Sequence, residues 1–262
     1  MRAITVRAGR ALYAAWGLVT LFVLSLLTLT LVTFVPGLRA RRRACRMTAR
    51  MLFALLGTPL RVNGAGHLAN GPAVVVANHG SYLDGLILQG ALPPTFAFVI
   101  KQEVRRVPLA HFVLRRIGSE FVDRHSAAGR LRDARRLVRR AAQHESLAFF
   151  PEGSFGPAPG LQAFKAGAFT SAARAGLPVV PVVIHGARSM LPADRWWLAP
   201  GRIAVDILPP ARPETGRPEA DAGALRRLAR EAIAARLAEP DLVPAPDPVP
   251  VRTSDDLPAG SR

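Results

Sequence analysis

Residues 11–36, ALYAAWGLVTLFVLSLLTLTLVTFVP, carry no charged side chain. About 20 apolar residues suffice for a helix to cross the hydrocarbon of a bilayer, so the run predicts a transmembrane or membrane-dipping helix over residues 11–37. A signal peptide is the competing reading, but its apolar core runs to only about 7–15 residues before a small-residue cleavage site. Arg2, Arg7 and Arg10 precede the run, and Arg39, Arg41, Arg42, Arg43, Arg46 and Arg50 follow it. Basic flanks are retained on the cytoplasmic side. The imbalance therefore predicts residence in the inner (cytoplasmic) membrane, with the rest of the chain on the cytoplasmic face. Residues 47–60 mix Arg50 with Met51, Leu52, Phe53, Leu55 and Leu56, which suits a helix lying at the interface or packing on the domain.

Beyond the apolar run, 262 residues leave room for one sizeable core and exclude two large independent domains. A formal charge of +17 comes from 35 basic against 18 acidic residues, with lysine only at Lys101 and Lys165. Such a balance attracts polyanions, and both nucleic acid and an anionic leaflet satisfy it. The one cysteine, Cys45, excludes an intrachain disulfide framework and any multi-cysteine zinc site. No metal or cofactor is expected.

Strand-like apolar runs at 73–77, 96–100, 120–122, 147–150, 179–184 and 203–208 alternate with helical pattern at 81–90, 127–143, 167–175 and 222–238. The alternation predicts an α/β domain with a largely parallel mixed sheet flanked by helices. The expected organisation is a basic N-terminus (1–10), the apolar helix (11–37), a basic interfacial segment (38–62), the α/β domain (63–238) and a proline-rich disordered tail (239–262).

In VVVANHGSYLDG, a buried-type strand ends at Ala77 and Asn78, His79 occupies the turn, and a helix is expected from Ser81. His79 thus falls at a strand's carboxyl edge, where open α/β sheets gather ligands. From the turn, Asp84 reaches back to one ring nitrogen, which leaves the other free to take a proton from an alcohol. The same spacing is also that of a helix capping box, with Ser81 at the cap and Asp84 three positions on. On that reading Asp84 only closes a helix.

NHGSYLD meets, at each specified position, the Asn-His-x-Ser-x-x-Asp signature of the lysophosphatidic acid acyltransferases (1-acylglycerol-3-phosphate O-acyltransferases), and the chain resembles that family. Gly118-Ser119-Glu120-Phe121-Val122-Asp123-Arg124 is similar to the family's second block. Phe150-Pro151-Glu152-Gly153-Ser154 is similar to its third, and Val180-Pro181-Val182-Val183-Ile184 to its fourth. The resemblance implies the glycerolipid acyltransferase fold and transfer of an acyl group from acyl-CoA or acyl carrier protein to the free hydroxyl of a lysophospholipid. It implies that His79 is the base and Asp84 its orienting partner. Asn78, Ser81, Arg124, Glu152, Gly153 and Ser154 are implied at the substrate, with Arg124, Glu152 and Gly153 lining the glycerol-phosphate site. Membrane lipids are implied partners.

The third block departs at Phe155, where the family often has an arginine that helps hold phosphate. Lys101, after a strand, and Lys165, in GLQAFKAGAF, are the compensating candidates, and surface lysines are the alternative. An acceptor such as lyso-ornithine lipid tolerates that loss more readily than 1-acylglycerol-3-phosphate. Arg130, Arg132, Arg135, Arg136, Arg139 and Arg140 share a predicted helix, either as a solvated face or to meet lipid phosphate or acidic carrier protein. Trp196 and Trp197 are read as interfacial anchors or ordinary packing. Ser81 as nucleophile is the rival mechanism, and a serine hydrolase using Ser81 or Ser154 lacks the Gly-x-Ser-x-Gly turn. A membrane-tethered nucleic-acid-binding module explains the charge but leaves NHGSYLD and FPEGS without a role, so no nucleic acid is expected.

Overall fold

A computed structural model describes residues 2–68, 71–123 and 126–242. Helices α1 (Arg2–Phe34) and α2 (Leu38–Leu55) precede strand β1 (Arg61–Asn63). Then follow β2 (Val74–Ala77), α3 (Asp84–Ala91), β3 (Phe96–Lys101), α4 (Pro108–Arg116), β4 (Glu120–Val122), α5 (Ala127–Ala142) and β5 (Ser146–Phe149). The chain continues through α6 (Gly167–Ala175), β6 (Val179–His185), α7 (Ala187–Met190), β7 (Ala204–Ile207) and α8 (Pro218–Ala234).

The strands form one sheet in the order β1-β7-β6-β2-β5-β3-β4. All pairs are parallel except β6 with β7, so the fold is the α/β fold with a largely parallel mixed sheet. Strand β2 is buried on both faces, and its alternate residues feed two cores. Val75 and Ala77 join Phe53, Ile87, Leu88 and Phe98 on one side, under α2 and α3. Val74 and Val76 join Phe169, Leu225 and Ile233 on the other, under α6 and α8. A central strand without polar side chains explains the uninterrupted valine run at 74–76.

The structure differs from the sequence expectations at several ends. Helix α3 begins at Asp84, three residues after Ser81, because residues 80–83 are held in a turn by the Asp84 carboxylate. Helix α8 begins at Pro218, where the ring's fixed φ suits a first helical turn. Helix α4 escaped the pattern because its larger apolar residues, Leu109 and Phe112, face outward. The chain expected to leave the fold at Glu239 stays on it through Leu242: Leu161 bridges to Asp241, and Glu239 and Asp241 bind Arg188 and Arg230. The remainder of the expected tail lies outside the described residues.

Helices α1 and α2 form an antiparallel hairpin that turns at Pro36 and Gly37. Thr28 Oγ1 donates to Thr48 Oγ1 at 2.8 Å, and Trp16 Nε1 and Tyr13 OH reach the Leu55 and Leu56 carbonyls at 3.0 Å. Arginines expected as a basic flank also tie the hairpin to the domain. Arg42 is buried and donates to the Ile117 and Thr95 carbonyls, while Arg41 donates to that of Arg116. From the other side Arg116 donates to the carbonyls of Val32 and Thr33. The apolar stretch of α1, Arg7–Phe34, is long and apolar enough to cross a membrane. Trp16, Leu18, Val19, Phe22, Val23 and Phe34 on it are exposed.

Candidate active site

Strand β2 ends at Ala77, and the next seven residues build the site. Asn78 turns its amide sideways onto β6: Nδ2 donates to the Ile184 carbonyl at 3.1 Å, and Oδ1 accepts the Ile184 N–H at 2.7 Å. That pair locks the carboxyl edge of β2 against its neighbour. His79 Nδ1 then lies 2.9 Å from Asp84 Oδ2. The same oxygen accepts the backbone N–H groups of Gly80 at 2.7 Å and Ser81 at 2.8 Å. The helix itself begins at Asp84 with Leu83 before it and no side-chain cap, so the expected box with Ser81 at the cap does not form, and Asp84 Oδ2 instead ties the turn while facing the ring. With two main-chain donors fixing Oδ2, the carboxylate is immobile and Nδ1 is the nitrogen that faces it. Nε2 has no hydrogen-bond partner among the described residues.

Two aromatic contacts frame the ring. His79 stacks on Phe150, with centroids 4.3 Å apart, and meets the Phe155 ring at 4.5 Å and 61°. Phe155 also meets Tyr82 edge-on, and Tyr82 stacks on the exposed Trp196. A continuous aromatic row therefore runs from the histidine to the surface. Phe155, at the position of the missing arginine, is a wall of the histidine's pocket.

Glu152 acts on the main chain. Its Oε1 accepts the His79 N–H at 2.7 Å and its Oε2 accepts the Gln162 N–H at 2.9 Å. Burial pushes its carboxyl up from an ordinary 4.5 to about 7, against those two hydrogen bonds, which pull it down; the Asp84 charge raises it further. Ser81 is fully buried, and its hydroxyl donates to the Leu191 carbonyl at 2.7 Å while accepting the Leu83 N–H. A hydroxyl turned away in this manner does not present a nucleophile.

Gly153 is buried with φ 85°, while Ser154 is exposed beside it. Lys101 is exposed at the end of β3, and Lys165 is exposed, with its N–H on the Pro151 carbonyl. Arg124 lies outside the described residues. The structure thus brings Asn78, His79, Ser81, Asp84 and Glu152 into one network and leaves Ser154 exposed on its margin.

Arg188, which no sequence pattern singled out, enters from α7. Its Nε pairs with Glu239 at 2.9 Å and its Nη1 donates to the Gly156 carbonyl at 3.0 Å. A Cβ on residue 80 would stand 2.9 Å from Arg188 Nη2, so a larger residue there would oblige the guanidinium to shift. A cavity of about 80 Å³ lies here, lined by Asn78, Gly80, Asp84, His185, Arg188 and Glu239 among others. Nothing local in the sequence marks Arg188 or Glu239, since the fold joins segments 51 residues apart.

The Acyltransferase family profile matches residues 59–185. The chain is 34% identical over 176 residues to a 1-acyl-sn-glycerol-3-phosphate acyltransferase of Chlamydomonas reinhardtii, covering 66% of this chain and 50% of that protein. It is 36% identical over 152 residues to the lyso-ornithine lipid O-acyltransferase of Pseudomonas aeruginosa, covering 58% and 57%. The chain spans about half the length of these curated relatives. In fold it is similar to the crystal structure of the 1-acyl-sn-glycerophosphate (LPA) acyltransferase of Thermotoga maritima, with TM-score 0.68 and 22% identity over 88% of this chain and 98% of the other. Residues 59–185 are thus an Acyltransferase family domain, and over that stretch the chain is similar to 1-acyl-sn-glycerol-3-phosphate and lyso-ornithine lipid acyltransferases.

Proposed function

We propose that this protein acylates the free hydroxyl of a lysophospholipid at a membrane surface, with His79 as general base and Asp84 as its orienting partner. The observation that carries this reading is the Asp84 Oδ2 contact at 2.9 Å to His79 Nδ1, made by an oxygen already fixed by two backbone N–H groups. His79 Nε2 takes the proton of the acceptor hydroxyl as its oxygen attacks the thioester carbonyl of acyl-CoA or acyl carrier protein. Collapse of the tetrahedral intermediate breaks the C–S bond, and the imidazolium returns the proton to the departing thiolate. A thioester is already activated, so the protein's task is placement, proton transfer and stabilisation of the oxyanion. No covalent acyl-enzyme is needed, in keeping with the buried, turned-away Ser81 hydroxyl.

The acceptor read from the family is 1-acylglycerol-3-phosphate, acylated at its sn-2 hydroxyl to phosphatidic acid. Phe155 in place of an arginine favours keeping lyso-ornithine lipid as the second reading, and the Pseudomonas relative carries that name. Arg188, beside Gly80, is the cation best placed to meet an acceptor's anionic group. The exposed apolar side of α1, together with Trp196 and Trp197, supports docking on a membrane, and the more numerous arginines after the apolar run favour the cytoplasmic side of the inner membrane. Because α1 packs along an arginine-bearing α2, a helix dipping beside the domain fits better than one crossing alone.

The test is transfer of a labelled acyl group from acyl-CoA or acyl carrier protein to a panel of lysolipids. His79→Ala should lose activity by about a thousandfold or more, the contribution of a positioned base. Transfer at near wild-type rate by a folded His79→Ala protein would overturn the mechanism.

A further inference from the structure

A second cavity, of about 370 Å³, opens at the far edge of the sheet. Arg105, His111, Arg115, Ser119 and Phe121 line it, together with Glu120 and Arg136. Its charges are not all equivalent. Glu120 is held by Arg136 at 2.6 Å and by Arg140, and Arg136 also reaches Asp133 at 3.1 Å, so that group is internally neutralised. Arg105 and Arg115 are exposed and have no carboxylate partner among the described residues. The Arg105 guanidinium lies over the Phe121 ring at 5.2 Å, and His111 meets the same ring edge-on, so aromatic packing orients both toward one place. Ser119 is 8% exposed, and its buried Oγ has no hydrogen-bond partner among the described residues. A buried hydroxyl without a partner is destabilising unless something supplies one. Two unpaired guanidinium groups, an imidazole and an unanswered hydroxyl around one space are the donor set that phosphate oxygens accept from.

Position then selects which phosphate. Strand β4 stands three places from β2 in the sheet, through β5 and β3, which is roughly 14 Å at about 4.8 Å per strand. In a lysophosphatidate the phosphate is two carbons from the attacking hydroxyl, so an acceptor reacting at His79 cannot also fill this cavity. A thioester donor carries its phosphate at the end of a long pantetheine arm, which spans such a distance. We infer that the cavity bounded by Arg105, His111, Arg115 and Ser119 holds the phosphate end of a phosphopantetheine thioester donor while its acyl carbonyl lies at His79. The inference rests on the acyl transfer proposed above and assigns its donor a binding subsite.

The experiment uses the full chain in detergent micelles, with Arg105→Gln/Arg115→Gln and, separately, Ser119→Ala. Each lost charge-assisted hydrogen bond is expected to cost about tenfold in affinity. The double variant should therefore raise KM for acyl-CoA about a hundredfold, with kcat and KM for the lysolipid unchanged. Acyl-pantetheine, which lacks phosphate, should be used equally by wild type and variant. Acyl-4′-phosphopantetheine separates the sources: equal sensitivity places the contact on the phosphate shared with carrier protein, and insensitivity places it on the nucleotide phosphates of CoA. Titration of CoA into His79→Ala protein, with and without the arginine substitutions, reads binding apart from turnover. Unchanged CoA affinity in the double variant, an equal loss with acyl-pantetheine, or a shift in lysolipid KM in place of donor KM would each overturn the assignment. If wild type transfers no acyl group from any thioester, the proposed function has failed, and the CoA titration still decides the cavity.

Discussion

Two buried carboxylates serve the same turn in different ways. Asp84 and Glu152 are 1% and 3% exposed, and each accepts backbone N–H groups from residues 79–81. Asp84 also touches the His79 ring, whereas Glu152 hydrogen-bonds, among the described residues, to the main chain of His79 and of Gln162. The environments diverge accordingly. Asp84 gathers three donors on one oxygen, while Glu152 has one donor per oxygen, deep burial and the Asp84 charge nearby, which together push its carboxyl up to about 7. An acid in a signature block therefore need not meet substrate; the atom it reaches decides whether it sets the ring or the backbone behind the ring.

Substitutions at the two acids should separate these roles. Asp84→Asn should lower kcat by about a thousandfold, since the amide mis-sets the imidazole tautomer. A folded Asp84→Asn protein with near wild-type turnover would reduce Asp84 to a cap. Glu152→Gln should cost less, on the order of ten- to a hundredfold in kcat through a displaced His79, with KM little changed; steady-state kinetics on both variants gives the ranking. Glu152 also gives a stability signature of definite sign. Its folded pKa is raised from 4.5 to about 7, so its contribution is most favourable below about pH 4.5 and is lost as pH rises through about 7. Wild type should lose up to about 3 kcal/mol relative to Glu152→Gln across that window, read by denaturant melts at each pH.

Phe155→Arg sharpens the comparison from the ring side. It should reduce kcat a few-fold by removing an aromatic wall of His79, and should lower KM for 1-acylglycerol-3-phosphate if that lipid is the acceptor. A loss of turnover with no gain in acceptor affinity points to the second acceptor reading. The smallest effect is expected at Glu239→Gln, which loosens Arg188 and the Gly160 N–H that Glu239 also holds. A loss of about 1 kcal/mol, seen as a modest fall in Tm, is the expected result.

Much of the architecture was legible because it depends on local period and punctuation. The valines at 74–76 and 179–183, interrupted by Pro181, declare buried parallel strands, and the turn at Asn78–Gly80 could be placed at a strand's end. Helix α4 and the short β1 were not legible, since one turns apolar residues outward and the other is a three-residue edge strand. The site divides the same way. His79 and Asp84 lie five residues apart, and their contact follows from a single turn.

By itself, then, the sequence determined the α/β class, the long apolar N-terminal helix and the placing of His79 and Asp84 around one turn, because each is set by spacing within short segments. Tertiary structure alone decided that Glu152 grips the His79 backbone, that Phe155 walls its ring, that Arg188 arrives beside Gly80 with Glu239 behind it, and that Arg42 staples the hairpin to the domain. Those contacts join segments about ten to twenty-two times farther apart in the chain than His79 and Asp84, and only the packing of the sheet and its helices brings such partners within reach.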